Sequence, residues 1–186
     1  EHRAQDRIVL ERFKEHWRAA DYAFDRLVYR GLPDSNVRLL NLRSGQLDLI
    51  ERISPTDIAT AEKDKALQIV EGPGLGYFGV TFNVGNGSEA GPGRSQAVRE
   101  AFDLAIDREA VNQVAFEGRY EPGNQPFPPS SPFYDKTHPV KARDVAAAKA
   151  KLKQAGLDGV AIDLLVPTDP QRQQVAQILQ AMVGEA

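Results

Sequence analysis

The chain has 186 residues, of which 26% are charged and 41% hydrophobic, and its formal net charge is −3. A globular protein has this composition, and the small negative charge argues against a nucleic-acid-binding surface, which is normally basic. The sequence contains no cysteine, which excludes disulfides, thiolate metal sites and a cysteine nucleophile and is compatible with an oxidising compartment. No apolar run in the sequence approaches the roughly 20 residues that span a bilayer.

The first third of the chain alternates between predicted strands and predicted helices. A helix is expected to begin after Asp34, a favourable N-cap residue, and to end at Gly45. A second helix is expected to begin at Pro55, because proline suits the first helical position. Apolar runs of strand length predict strands at residues 6–12, 25–30, 46–50 and 67–71.

The remainder of the chain contains more helix. Two further strands are predicted at residues 80–83 and 160–166. A glycine-rich flexible loop is expected at residues 85–93, and residues 121–139 hold six of the twelve prolines, which disfavours helix. Four helices are predicted from capping residues and apolar periodicity, beginning at Ser95, Asp107, Asp144 and Asp169.

Two stretches carry a family resemblance. Residues 71–83 end in Val80-Thr81-Phe82-Asn83, and residues 97–111 read AVREAFDLAIDREAV. Together they resemble the junction between the two lobes of extracytoplasmic solute-binding proteins of the peptide/nickel ABC-importer class (family 5). Residues 38–50 also resemble a turn of the first lobe, although Gln46 stands where the family usually has glutamate.

The resemblance implies an α/β fold with the two-lobed architecture of type II periplasmic-binding proteins. The chain is then expected to be an internal fragment that holds only part of each lobe. Residues 1–73 are assigned to the first lobe and residues 74–186 to the beginning of the second. The interlobe crossing is expected near residues 72–79.

By the same resemblance, the protein is expected to be a receptor and not an enzyme. Such receptors capture peptides or peptide-like solutes between the lobes by hinge closure and deliver them to the permease subunits of an ABC transporter. The expected location is the periplasm, or the outer face of the cytoplasmic membrane through a lipid anchor, and the expected state is a monomer. Dipeptides, longer peptides, glutathione, nickel chelates, opines and sugars all remain open as ligands.

The resemblance also indicates candidate ligand-binding residues. Gly76, Tyr77 and Phe78 are expected where the crossing strand lines the cleft, with Tyr77 the best candidate for direct contact because its ring offers area and its hydroxyl a hydrogen bond. Successive strand residues face opposite ways, so one of the two aromatic residues is expected in the core. Asn124 and Gln125 are candidate polar contacts from a proline-rich segment near the cleft mouth.

Other chemistries have weaker support in the sequence. The run from Gly74 to Gly79 spells G-x-G-x-x-G, but a dinucleotide site needs that run to open a helix, and here a predicted strand follows. The three histidines are scattered, which argues against a histidine-based metal site. No metal and no cofactor are expected. No catalytic constellation is predicted. Two alternatives stay open: a two-lobed enzyme whose active site lies outside this chain, and a sensory binding protein.

Overall fold

A computed structural model describes residues 1–72, 76–85, 91–129 and 131–186. The described residues form a mixed α/β structure with three short strands and six α-helices. They divide into two compact units, Glu1–Ile53 and Ser54–Ala186. Most of the predicted loop at residues 85–93, and the glycine at position 74, lie outside the described residues. The lobe boundary expected near residues 72–79 stays a prediction.

The first unit contains an antiparallel sheet in the order β1-β2-β3. Ile8 pairs with Tyr29, and Leu10 pairs with Leu27, so four apolar side chains share one face of the β2–β3 hairpin. The two strands predicted nearest the N-terminus are therefore confirmed. The strands are β1 (His2–Arg3), β2 (Arg7–Glu11) and β3 (Arg26–Arg30).

Helix α1 (Ser35–Arg43) begins and ends as predicted. The Asp34 carboxylate accepts a hydrogen bond from the backbone N–H of Val37 at 2.9 Å, and Gly45 adopts a positive φ of 74°. The strand predicted at residues 46–50 is wrong. The N–H groups of residues 46 and 47 donate to the carbonyl of Asn41, which ties the chain to the end of α1 instead of to a neighbouring strand.

The regular secondary structure described in the second unit is helical. Aspartates at three helix starts accept a hydrogen bond from the backbone three residues on: Asp107 from Ala110, Asp144 from Ala147, and Asp169 from Arg172. The helices of this unit are α2 (Pro55–Ala61), α3 (Gln96–Ala105), α4 (Arg108–Phe116), α5 (Val145–Gln154) and α6 (Pro170–Val183).

The core of the second unit lies where α3 packs against α5. It is built from small and medium apolar side chains, and the alanines allow the two helices to approach closely. Its buried members are Val98, Ala101, Ala105, Ala148 and Leu152. No helix among the described residues is both long enough and apolar enough to cross a bilayer.

Arg143 joins the ends of two helices beside this core. Its Nε donates to the carbonyl of Ala105, the last residue of α3, at 2.7 Å. Its Nη2 donates to the carbonyl of Met182 in the last turn of α6 at 3.0 Å. Because the last carbonyls of a helix have no partner within it, the guanidinium satisfies acceptors that would otherwise need water.

The strands predicted at residues 67–71, 80–83 and 160–166 are also wrong, because none of these segments is a strand in the described structure. A strand exists only when its backbone bonds to a neighbour. The sheet of β1, β2 and β3 is confined to the first unit, so these segments have no ladder partner among the described residues.

The N-caps supply a stability prediction. Ser95 occupies the cap position of α3, but its side chain makes no capping hydrogen bond, which corrects the expectation that it caps like Asp107. Asp107→Ala is expected to lower the free energy of unfolding by about 1 kcal/mol. Ser95→Ala is expected to change it by less than about 0.5 kcal/mol. Chemical denaturation of the two variants measures both, and equal losses would contradict this account of the caps.

Candidate functional site

The segment at residues 76–85 carries the first group of predicted site residues. Tyr77 is 69% exposed, and its ring lies against the backbone of Gly79, where a Cβ would stand only 3.0 Å from the Tyr77 Cε2 atom. A side chain at Gly79 would therefore push the ring away. Gly76 is exposed, and a Cβ there would meet nothing within 4 Å, so no steric contact requires glycine at that position.

Phe78 belongs to a cluster of three aromatic rings. Its centroid lies 5.1 Å from that of Phe116 and 6.4 Å from that of Tyr120, and the latter two rings are 4.7 Å apart. Phe116 is buried in the last turn of α4, whereas Phe78 and Tyr120 are about half exposed. The guanidinium of Arg172 lies 5.7 Å from the Phe78 centroid, within cation–π range.

Asn112 fixes the position of Tyr120 in this cluster. Helix α4 is followed by Glu117 and Gly118, which both have positive φ and reverse the direction of the chain. The buried Asn112 amide then donates to the carbonyl of Tyr120 at 2.6 Å and accepts from its N–H at 3.1 Å. Sequence reasoning missed Asn112; the available signal was a polar residue at an inward position of an amphipathic helix.

The segments that flank this site contact residues just after α4 and just before α3. The Arg119 guanidinium pairs with Glu71 at 2.9 Å and with Glu62 at 3.6 Å. On the other flank, a Cβ at Gly93 would stand 2.8 Å from the carbonyl oxygen of Asn83. Only glycine allows this close backbone approach, which brings the two sides of the glycine-rich stretch together.

The second group of predicted site residues lies in what we call the proline-rich loop, residues 124–139. The Asn124 amide donates to the carbonyls of His138 and Pro139 at 3.0 and 3.1 Å. The Gln125 amide donates to the carbonyls of Asp135 and His138 at 2.8 and 2.9 Å and accepts from the Asp135 N–H at 3.0 Å. Both side chains therefore join the two ends of the loop.

The far end of the loop is ordered by Asp135. Its carboxylate accepts hydrogen bonds from the hydroxyl and N–H of Thr137 and contacts the His138 imidazole at 2.6 Å. These bonds, led by that of the Thr137 hydroxyl, lower the pKa of Asp135 to about 2. Between the ends, the Phe127 and Phe133 rings pack with centroids 5.5 Å apart.

A separate groove of about 340 Å³ lies beside α6. Its lining is mostly apolar and includes Phe102, Leu164 and Leu179, and no predicted ligand-binding residue lines it. No group of three or more His, Cys, Asp or Glu side chains within residues 1–72, 76–85, 91–129 and 131–186 could hold a metal ion. The predicted residues with exposed surface are thus found on the 76–85 segment and on the proline-rich loop.

Comparison with protein families gives a match along the whole chain. The model for bacterial extracellular solute-binding proteins, family 5, middle region, matches residues 1–186. The dipeptide-binding protein of Escherichia coli (strain K12) is 28% identical over 187 residues, an alignment that covers 97% of this chain and 34% of that relative. The glutathione-binding protein of Pectobacterium atrosepticum is 30% identical over 151 residues, which cover 81% of this chain and 28% of the relative.

A solved structure of a periplasmic binding protein shares the fold. The periplasmic binding protein DppA from Helicobacter pylori, in complex with the peptide STSA, superposes with a TM-score of 0.79 at 22% sequence identity. That superposition covers 100% of this chain and 35% of the other. The chain thus spans about a third of the length of the relatives and structures that it matches.

Proposed function

The chain belongs to family 5 of the bacterial extracellular solute-binding proteins and matches the middle region of that family. From this premise we propose that it forms part of a receptor that captures a peptide or peptide-like solute between two lobes. The proposed receptor binds without chemistry and closes on its ligand by hinge rotation. It then delivers the solute to the permease subunits of an ABC transporter.

The observation that carries the proposal for this chain is the exposed ring of Tyr77. The ring is 69% exposed and lies against the backbone of Gly79, so its face and its hydroxyl are available to a ligand. Next to Tyr77 in the sequence, Phe78 packs on the buried Phe116, and so does Tyr120. We therefore assign direct ligand contact to Tyr77, with Gly76 and Phe78 as neighbouring elements of the same wall.

The proline-rich loop forms the second part of the proposed site. It contains Asn124 and Gln125, whose amides are engaged by the backbone at the other end of the loop. Direct binding of a solute by these amides would have to replace bonds that already exist. The proposed lobe assignment is unchanged: residues 1–73 in the first lobe, 74–186 in the second, and the crossing near 72–79.

The proposal also covers the cellular location, the oligomeric state and the class of ligand. The receptor acts in the periplasm, or on a lipid anchor at the outer face of the membrane, and works as a monomer. The matched relatives bear the names of dipeptide-binding and glutathione-binding proteins. These ligands share a peptide backbone and free carboxylates, so we take peptide-like solutes as the first class to test.

An enzyme and a sensor remain the alternatives to a transport receptor. An enzyme would convert the solute, whereas a receptor returns it unchanged. A sensor would bind the same solute but dock on a signalling protein in place of a permease. A panel of peptides assayed for both saturable binding and hydrolysis distinguishes a receptor from an enzyme. Loss of solute uptake after deletion of the gene distinguishes a transport receptor from a sensor.

Tyr77 gives the direct test of the proposed site. In the receptor polypeptide that carries this chain, Tyr77→Ala is expected to weaken solute binding by about 1–3 kcal/mol, the range for an anchoring aromatic side chain. Calorimetry measures the affinity, and Tyr77→Phe separates the ring from the hydroxyl. Tyr22, which is 52% exposed and lies in the first unit, provides a control in Tyr22→Ala. Unchanged affinity in Tyr77→Ala would remove Tyr77 from the site.

A further inference from the structure

Arg119 and Tyr120 contact the chain on both sides of Tyr77. The Arg119 guanidinium pairs at 2.9 Å with the carboxylate of Glu71, which precedes Tyr77 in the sequence. The ring of Tyr120 lies against that of Phe78, the residue directly after Tyr77, with a centroid distance of 6.4 Å and an interplanar angle of 23°. Two consecutive residues therefore contact the chain before and after the side chain to which ligand contact is assigned.

Hydrogen bonds hold the backbone of these two residues in place after α4. The N–H of Arg119 donates to the carbonyl of Phe116 at 3.0 Å. The Asn112 side chain bonds to both the N–H and the carbonyl of Tyr120. Asn112 is buried, so water competes poorly for these bonds. The turn that carries Arg119 and Tyr120 is therefore a fixed support for their side chains.

The guanidinium of Arg119 is shared by two carboxylates. Besides Glu71, it pairs at 3.6 Å with Glu62, the C-cap residue of α2. The Arg119 side chain is only 26% exposed, whereas both glutamate side chains are more than half exposed. Ion pairs with exposed partners contribute little to global stability. They can still restrict the local opening of a segment that has few other contacts.

The segment at residues 76–79 has few such contacts. It forms no strand, and no sheet ladder holds it within the part of the chain that the structure describes. The Tyr77 side chain makes no hydrogen bond to another described residue. The place of its ring therefore depends on where the neighbouring backbone is held, and Arg119 and Tyr120 contact that backbone's flanks.

We infer that Arg119 is a positioning residue for Tyr77. Its ion pairs hold the chain before Tyr77 in the place where the ring meets the solute, while Tyr120 supports the chain after it. The guanidinium is engaged by two carboxylates, so Arg119 acts through Tyr77 and does not itself bind the solute. This inference rests on the proposed function, since it takes Tyr77 to contact the solute.

A double-mutant cycle tests whether Arg119 acts through Tyr77. The receptor polypeptide that carries this chain is titrated with the dipeptide alanyl-alanine in a calorimeter. Arg119→Ala is expected to weaken binding about fivefold when Tyr77 is present. In the Tyr77→Ala background it is expected to change the affinity by less than about 1.5-fold, because the side chain that it positions is already absent. Arg119→Lys, which keeps the charge, is expected to recover part of the loss.

Hydrogen exchange of the ligand-free polypeptide gives a readout that does not depend on binding. Arg119→Ala is expected to raise the exchange rate of the backbone amides of residues 76–79 about threefold, because the segment opens more often. Glu71→Gln removes the charge of the closer partner, whose side chain is 60% exposed, and is expected to change exchange in the same direction. This second variant keeps the test valid if Arg119→Ala does not fold.

Arg108 supplies the matched control. It is the first residue of α4, and its guanidinium pairs with Asp103 in α3. Its side chain is 18% exposed, which is close to the value for Arg119. Arg108→Ala thus removes a comparable ion pair from the opposite end of the same helix. It is expected to leave both the affinity for alanyl-alanine and the exchange at residues 76–79 unchanged.

The outcomes separate this inference from the function on which it rests. The positioning role is overturned, while the receptor stands, if Arg119→Ala weakens binding equally with and without Tyr77, does not weaken it, or leaves exchange at residues 76–79 unchanged. Equal effects of Arg108→Ala would also overturn it. If alanyl-alanine does not bind the wild type, the peptide-like ligand class fails, and the inference fails with it. A loss of affinity confined to receptors that keep Tyr77, with faster exchange in Arg119→Ala and Glu71→Gln only, supports it.

Discussion

Phe116→Ala is expected to lower the free energy of unfolding of the second unit by about 3–5 kcal/mol, the usual cost of deleting a buried phenylalanine. Phe116 is only 4% exposed and lies beneath both Phe78 and Tyr120. Its removal leaves a cavity under the proposed binding surface. The affinity for a solute is therefore expected to fall together with stability, and this coupling distinguishes Phe116 from core residues remote from the site.

Two further variants serve as comparisons for Phe116→Ala. Phe116→Leu keeps most of the apolar volume and is expected to cost less than about 1.5 kcal/mol. Phe78→Ala removes a ring that is half exposed, so its effect on stability is expected to be less than half that of Phe116→Ala. Thermal or chemical unfolding, followed by calorimetry with a bound peptide, measures both quantities. A loss below about 1 kcal/mol for Phe116→Ala would contradict the packing described for the cluster.

Arg143→Ala is expected to lower the free energy of unfolding by about 2–3 kcal/mol, the range for losing charge-assisted hydrogen bonds. The substitution removes charge-assisted hydrogen bonds to the carbonyls of Ala105 and Met182 and leaves two helix ends short of a donor. The Arg143 side chain is only 25% exposed, so water replaces these bonds incompletely. The loss is measured by chemical denaturation of the same polypeptide.

The controls for Arg143 use its geometry and its exposed partner. Arg143→Lys keeps the charge, but a single ammonium cannot reproduce the planar fork of the guanidinium, and less than half of the loss is expected to be recovered. Arg143 also pairs with Glu185 at 3.2 Å. Because the Glu185 carboxylate is well exposed, Glu185→Ala is expected to cost at most about 1 kcal/mol. An equal loss for Glu185→Ala and Arg143→Ala would show that the carbonyl bonds contribute little.

The helices were predictable because their signals are local. Asp34, Asp107, Asp144 and Asp169 each lie directly before a helix, and each accepts the bond expected of an N-cap. Ser95 occupies the same position without making that bond. The sequence thus indicates where a helix begins, but whether a short hydroxyl reaches the backbone depends on a rotamer that the sequence does not determine.

The strands were predictable only where the described residues supply both partners. β2 and β3 pair with each other, and both were predicted. The segments at residues 67–71 and 160–166 have the alternation of strands, but the described residues offer them no neighbour to bond. A strand is a relation between two segments, so alternation in one of them is not sufficient.

The packing around the proposed site was predicted only in part. Neither of the two successive aromatic residues is buried: Tyr77 is 69% exposed, and Phe78, although it packs on Phe116, is 49% exposed, so the expectation that one of them lies in the core is not met. Asn112 reaches Tyr120 because the chain reverses at Glu117 and Gly118, and the rings of Phe127 and Phe133 meet only in the folded chain. No spacing in the sequence encodes such contacts.

Native mass spectrometry of the receptor polypeptide that carries this chain tests the central claim, which is solute capture without chemistry. The polypeptide is incubated with a mixture of dipeptides and glutathione, and the bound and released masses are compared. The account predicts one-to-one complexes that release the solute with its mass unchanged and produce no new small molecule. Hydrolysed or transferred products that accumulate over many turnovers, or no complex with any of these solutes, would contradict it.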